Sequence, residues 1–317
     1  LGRPAAAAMA ARILCLLCLL AHAAIAFQYE LAALPLLPIL PFVPVALTDY
    51  QPRKSPRSYL RGDSSPEEVM VCFGDSLTHG SVSANWVERL EERSRNRAIW
   101  GEGYTAVLNA GVNSETAAAA YTRLGDVIAC KPTAVTVLIG TNDLIGSLAT
   151  SAANMYVNKL PAQKIPPSEA GYAAELGRIV KELDQNLPPN SRVLVLSPPP
   201  LGERPGGPAW RRGGRFAEIC KKVVGEFSEV SGRVAYGPLY ERVAEEMVAA
   251  GCEREFVWSE VWPQCITSPA RLLFGSSFGE VSAANGWRYT TDGIHFGPQF
   301  GGVCERMVGD WLDEREL

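Results

Sequence analysis

Histidine is scarce in this 317-residue chain, with three residues, His22, His79 and His295. A multi-histidine metal centre is therefore not expected. Of the eight cysteines only Cys15 and Cys18 are spaced Cys-x-x-Cys, inside the apolar N-terminal run with no second such pair, and no His-Glu-x-x-His occurs, so the usual zinc signatures are missing. No metal and no cofactor is expected. There is also no surplus of basic charge: 30 Lys and Arg face 34 Asp and Glu, a formal net charge of −4. That argues against a nucleic-acid partner held by bulk charge. Long unbroken apolar runs are missing too. The uncharged segment from Ile13 to Phe27 is short of the ~20 residues a spanning helix needs. With 47% apolar and 20% charged residues, the composition is that of an ordinary globular domain.

The N-terminus reads as a targeting segment. After Met9 come Arg12, the apolar run Ile13 to Leu20, and Ala24-Ile25-Ala26, the order of a signal peptide over residues 1–26. Delivery to the secretory pathway or the cell exterior is the expectation. A Phe directly after such a site also resembles the two-part plastid leaders of algae with secondary plastids. Arg53, Lys54, Arg57 and Arg61 suit that alternative, and the stretch before them does not. In that stretch Pro35, Pro38, Pro41 and Pro44 recur every third residue, which fits polyproline II and breaks a helix. A stable membrane span is not expected, while peripheral contact stays open. Residues 27–66 are expected to be disordered, with a polar linker over 48–66. Arg61-Gly62-Asp63 is a tripeptide too short to carry an adhesion role. Among the later cysteines, Cys252 and Cys265 lie in one loop-rich stretch and are the first candidates for pairing. Cys72 reads as core.

From Glu68 the pattern changes to short apolar runs alternating with helical periods. Runs at 69–73, 106–110, 134–139, 193–196 and 234–236 predict five strands, the first three stopped by Gly74, Gly111 and Gly140. Helical periods occupy 84–95, 114–128, 169–186, 216–230, 238–250 and 298–314. Strands alternating with helices predict a mainly parallel sheet covered on both faces, one α/β domain over 67–317. Ligands bind such sheets beyond the carboxyl ends of the strands.

The loops at those ends carry chemistry. They read Gly74-Asp75-Ser76-Leu77-Thr78, Asn109-Ala110-Gly111-Val112-Asn113 and Gly140-Thr141-Asn142-Asp143, with Asp292-Gly293-Ile294-His295 near the end. A serine hydrolase needs a nucleophile, a base, a group orienting the base, and oxyanion donors. With the signal removed, His79 and His295 are the two bases available. Asp292, three residues before His295, can reach one imidazole nitrogen and leave the other to face a serine. Gly111 can bring its N–H close to an oxyanion, and the Asn142 amide offers a further donor.

This set resembles the SGNH hydrolases, also called the GDSL esterase/lipase family. Ser76 in FGDSLTHG, Gly111 in NAGVNSET, Asn142 in GTND and His295 in DGIH match that family's blocks in order. The resemblance spans about residues 69–314. It implies a three-layer α/β/α, flavodoxin-like, mainly parallel five-stranded sheet. It implies Ser76 as nucleophile, with Asp292 and His295 completing a triad. It also implies an oxyanion hole from the Ser76 and Gly111 N–H groups and the Asn142 side chain. The expected activity is hydrolysis of a small-molecule carboxylic ester, such as a lipid ester, an O-acetyl group, or a small aryl ester or thioester; the alternatives are acyl transfer by the same site, or binding without catalysis on the same fold.

Three decoys are weighed against that reading. Gly62-Asp63-Ser64 repeats the GDS letters but follows a polar linker. Gly275-Ser276-Ser277-Phe278-Gly279 fits a nucleophile elbow, yet no helical stripe is visible after it. His79 reads as a surface residue. Two insertions, 198–215 and 252–291, exceed a minimal core. Arg204, Arg211, Arg212 and Arg215 in the first read as a solvated loop or an attraction for anionic substrates. Trp258, Trp262, Trp287 and Tyr289 in the second read as a substrate wall or as packing.

Overall fold

The computed structural model describes residues 54–62, 68–98, 106–273 and 275–314. The expected signal peptide, the proline-rich stretch, Asp63 and Ser64 lie outside them.

Five strands form one sheet: β1 (Val69–Gly74), β2 (Ala106–Gly111), β3 (Ala134–Leu138), β4 (Arg192–Leu196) and β5 (Val234–Gly237). All neighbours are parallel, in the order β2-β1-β3-β4-β5. This is the flavodoxin-like order. The direction in which successive strands are added reverses between β1 and β3, which opens a crevice at their carboxyl ends. The strands read as unbroken apolar runs because helices cover both faces. Side chains alternate along β1: Val69, Val71 and Phe73 enter one core, Met70 and Cys72 the other.

The first core is closed by α4 (Ala117–Tyr121), α5 (Leu124–Ala129), α8 (Glu169–Asn186) and α9 (Pro208–Ser231). Leu176, Ile179, Val180 and Leu183 of α8 recur at helical spacing and are fully buried. The second core is closed by α3 (Trp86–Ala98), α10 (Leu239–Ala249) and α13 (Pro298–Asp313). Each fully buried aliphatic side chain contributes about 1.5–3 kcal/mol.

Several expectations change. Residues 114–128 form two short helices rather than one. Helix α9 begins at Pro208, eight residues earlier than expected, so Arg211, Arg212 and Arg215 stand on a helix. Arg212 and Arg215 reach Glu169 at 3.0 and 3.5 Å, and Arg211 donates to the Gly206 carbonyl. Helices α6 (Thr141–Leu148) and α7 (Thr150–Lys159) were not anticipated. The insertion 252–291 folds into α11 (Trp258–Leu273) and α12 (Phe278–Ala284). Within it Trp287 and Tyr289 are packing residues: Trp287 donates to Gln264 at 2.6 Å and Tyr289 to the Glu246 carbonyl at 3.2 Å. Cys252 and Cys265 are both free thiols. Among the described residues no helix is long and apolar enough to cross a membrane.

The expected disorder of 27–66 does not hold at 54–62. Ser55 caps a helix, α1 (Pro56–Leu60), that lies against β2 and α5. Ser55 and Pro56 are buried, and Tyr59 packs on the first core. The Lys54 carbonyl accepts the Asn109 N–H of edge strand β2 at 2.8 Å, and Arg57 pairs with Asp126 at 2.7 Å. Periodicity cannot reveal a five-residue helix whose stability comes from the surface it covers.

Candidate active site

The crevice at the ends of β1 and β3 gathers the loops singled out in the sequence. After β1 the chain turns into α2 (Ser76–His79), whose N-cap is Asp75: its Oδ1 accepts the Leu77 N–H at 3.0 Å. Ser76 is the first helical residue, so its N–H has no partner inside the helix. The serine is 6% exposed. Its Oγ lies 3.0 Å from His295 Nε2.

His295 comes from a tight turn 219 residues away in sequence. Thr290 and Phe296 form an antiparallel bridge across that turn. Asp292 Oδ1 accepts the N–H groups of Ile294 and His295 at 3.1 and 2.9 Å, and Oδ2 meets His295 Nδ1 at 2.7 Å. A carboxylate at Nδ1 keeps the ring proton there and leaves Nε2 to accept from the Ser76 hydroxyl. Burial alone would raise Asp292, yet the His295 charge and these hydrogen bonds outweigh it and hold the carboxyl below its ordinary range. Burial alone would lower His295, but the charge and hydrogen bond of Asp292, with Asp75 beyond, leave the imidazole raised above its ordinary value. Asp75 itself is pushed up to about 7, chiefly by burial. The structure thus brings Ser76, His295 and Asp292 into one hydrogen-bonded line with its serine end in the crevice.

Asn142 follows β3 on the first turn of α6. Gly140, the residue before that helix, holds φ +117, and a Cβ there would fall 2.4 Å from the Tyr172 ring. Asn142 Oδ1 accepts the buried Tyr156 hydroxyl at 2.7 Å, which orients the amide. Its Nδ2 donates to the Glu115 carbonyl at 2.8 Å and, at a long 3.4 Å, to Asp75 Oδ2. The longer bond leaves one amide hydrogen weakly held beside Ser76's own N-cap.

Gly111 departs from expectation. Its N–H donates to Asn109 Oδ1 at 2.9 Å instead of facing the crevice. A Cβ on Gly111 would fall 2.2 Å from His79 N, so this glycine serves the close approach of β2 to α2. Asn109 completes the join by donating to the Thr78 carbonyl at 2.9 Å. His79, expected at the surface, is buried, with 5% exposure. Ser277 is followed by a helix after all, but it only caps that helix in a capping box with Glu280 and is exposed.

Two residues near the line escaped the sequence reading. Glu203, 2% exposed, accepts backbone N–H groups from Arg288 (3.0 Å), Tyr289 (2.7 Å) and Thr290 (2.8 Å), and the Thr290 hydroxyl (3.0 Å). With the Gly202 N–H to Gly293 carbonyl bond at 2.9 Å, it anchors the turn that carries Asp292 and His295. Cys265 of α11 lies beside Asp292. A buried acid in Pro-Leu-Gly-Glu and a cysteine in an apolar helix carry no local signal of either position.

Residues 72–239 match the family model described as GDSL-like lipase/acylhydrolase. Two solved variants of an acetylxylan esterase from Geobacillus stearothermophilus are similar in structure. One has TM-score 0.53 at 16% identity, covering 78% of this chain and 94% of its own. The other has TM-score 0.50 at 17% identity, covering 79% and 96%. A lipase/acylhydrolase from Enterococcus faecalis stands at TM-score 0.49 and 19% identity, covering 78% and 96%. At these identities the two esterase structures share the fold with this chain. No curated protein matches in sequence comparison.

Proposed function

The chain belongs to the GDSL-like lipase/acylhydrolase family and is an ester-bond hydrolase; from that premise we propose that it works through an acyl-enzyme on Ser76. The Ser76 hydroxyl attacks the ester carbonyl carbon and gives its proton to His295 Nε2. The carbonyl oxygen becomes an oxyanion, received by the Ser76 N–H and by the Asn142 amide as its long bond to Asp75 yields. Collapse expels the alcohol, which takes the proton from His295. Water then attacks the acyl carbon, His295 again accepting a proton, and the carboxylic acid leaves with Ser76 restored. Asp292 keeps the proton on Nδ1 throughout and stabilises the imidazolium as it forms.

The observation that supports this reading is the unbroken run Ser76 Oγ, His295 Nε2, His295 Nδ1, Asp292 Oδ2, at 3.0 and 2.7 Å. Labelling with a fluorophosphonate tests it, since only an activated serine reacts. Label should map to Ser76 and vanish in Ser76→Ala, while Ser277→Ala and Ser64→Ala keep it. Label mapped to Ser277 overturns the assignment. Asn142→Ala should lower kcat about 10²–10³-fold with a smaller change in KM. A panel of lipid esters, O-acetylated sugars, aryl esters and thioesters then reads the substrate class.

A further inference from the structure

Cys265 stands on α11, in the insertion that packs over the Asp292 turn. Five other cysteines among the described residues are buried, and Cys265 alone is partly exposed. Its sulfur lies close to the Asp292 carboxylate. One ligand atom each from Cys265, Asp292 and His295 lies within 4.8 Å of the other two. A thiol sulfur, an imidazole nitrogen and a carboxylate oxygen are the donor types that bind Zn²⁺. In a tetrahedral site such atoms stand roughly 3.3–3.6 Å apart, so closure needs shifts of about 1 Å. The His295 side chain is 13% exposed, so the cluster is reached from solvent on the crevice side.

We propose that Cys265, Asp292 and His295 form an inhibitory site for a soft divalent cation, with Zn²⁺ as its probe. The cation takes the place of the proton between Asp292 and His295 Nδ1. The Cys265 thiol releases one proton to solvent as its sulfur binds. The ring's single proton moves from Nδ1 to Nε2, so no electrons change hands. The two anionic ligands, thiolate and carboxylate, balance the cation's charge. An Nε2–H now faces the Ser76 oxygen 3.0 Å away and donates where it formerly accepted. Ser76 then has no base, and the enzyme is off until the metal is withdrawn. The inhibitory consequence rests on the reading of His295 as the base; the binding itself does not.

The test uses the full chain. Zn²⁺ should inhibit ester hydrolysis, and EDTA should restore it. Each variant is compared with its own metal-free rate. Cys265→Ser keeps a small polar side chain beside Asp292 but offers a poor metal ligand. It should raise the Zn²⁺ concentration for half-inhibition about tenfold or more. Cys130→Ala, beside Asp126 and far along the chain, should leave that concentration as it was. Co²⁺ should add a sulfur-to-metal absorption band at one equivalent, absent in Cys265→Ser. In the unaltered chain, Zn²⁺ should slow iodoacetamide alkylation mapped to Cys265. Equal Zn²⁺ sensitivity in Cys265→Ser overturns the site, as does the absence of a thiolate band or alkylation unaffected by Zn²⁺. The spectrum and the alkylation need no ester turnover. A chain that binds Co²⁺ through Cys265 yet hydrolyses no ester would sink the proposed function and leave this site standing.

Discussion

Replacing Glu203 by Ala attacks the turn that carries Asp292 and His295 without touching either residue. The carboxylate is buried and accepts three backbone N–H groups and one hydroxyl, all between 2.7 and 3.1 Å. Each buried donor left without an acceptor costs roughly 1–3 kcal/mol. Water entering the vacated space recovers part of that, so the expected loss is about 3–5 kcal/mol of folding stability. Glu203→Gln keeps one oxygen in place for Tyr289 and Thr290 and turns an amide N–H₂ toward Arg288 N. Its loss should be smaller, about 1–2 kcal/mol. Activity should fall in the same order. A catalytic turn displaced by a fraction of an ångström lowers kcat by about 10–10²-fold, with less effect on KM. Urea unfolding gives the stabilities, provided the slope stays constant across variants. Ester hydrolysis, measured well below each midpoint, gives kcat. A Glu203→Ala protein with the parent's midpoint and kcat would refute the argument that this carboxylate positions the turn.

Three further outcomes are expected. Activity should fall as pH drops through the ionisation of His295, because the base must be neutral; that limb should lie above the ordinary 6.5, since Asp292 and Asp75 face the ring and Cys265 beside them is a neutral thiol. Asp292→Asn should move the limb down as well as lower kcat, and a parent limb below about 6 would contradict the geometry. A chain starting at Asp63 loses the α1 contacts and should melt lower than one starting at Gln51, by about 2–4 °C for each of about 1–3 kcal/mol lost; equal melting temperatures would show that α1 adds no stability. We propose cleavage after Ala26 and entry into the secretory route, so sequencing of the native protein should begin at Phe27, and an intact Met9 start would end that reading.

The five strands were legible to within one residue because most of their residues are buried and each ends at a glycine or a change of polarity. Val69 to Phe73 could be little else than a central parallel strand. Ser76 and Asn142 were legible for a related reason: in this architecture, ligand-binding side chains follow directly after strands, so sequence position implies place; Asp292 and His295 follow no strand of the sheet and were legible from their own three-residue spacing. Only the tertiary structure decided what depends on distant partners. Gly111's N–H faces Asn109 because β2 and α2 press together there. Glu203 meets residues 85–87 positions away, and Cys265 meets Asp292, because the insertion folds back over the turn. Pro56 to Leu60 is helical only because β2 and α5 offer it a surface. Local composition sets which elements form. Contacts across long stretches of chain cost loop entropy and are repaid only in the assembled core, so no short window of residues records them.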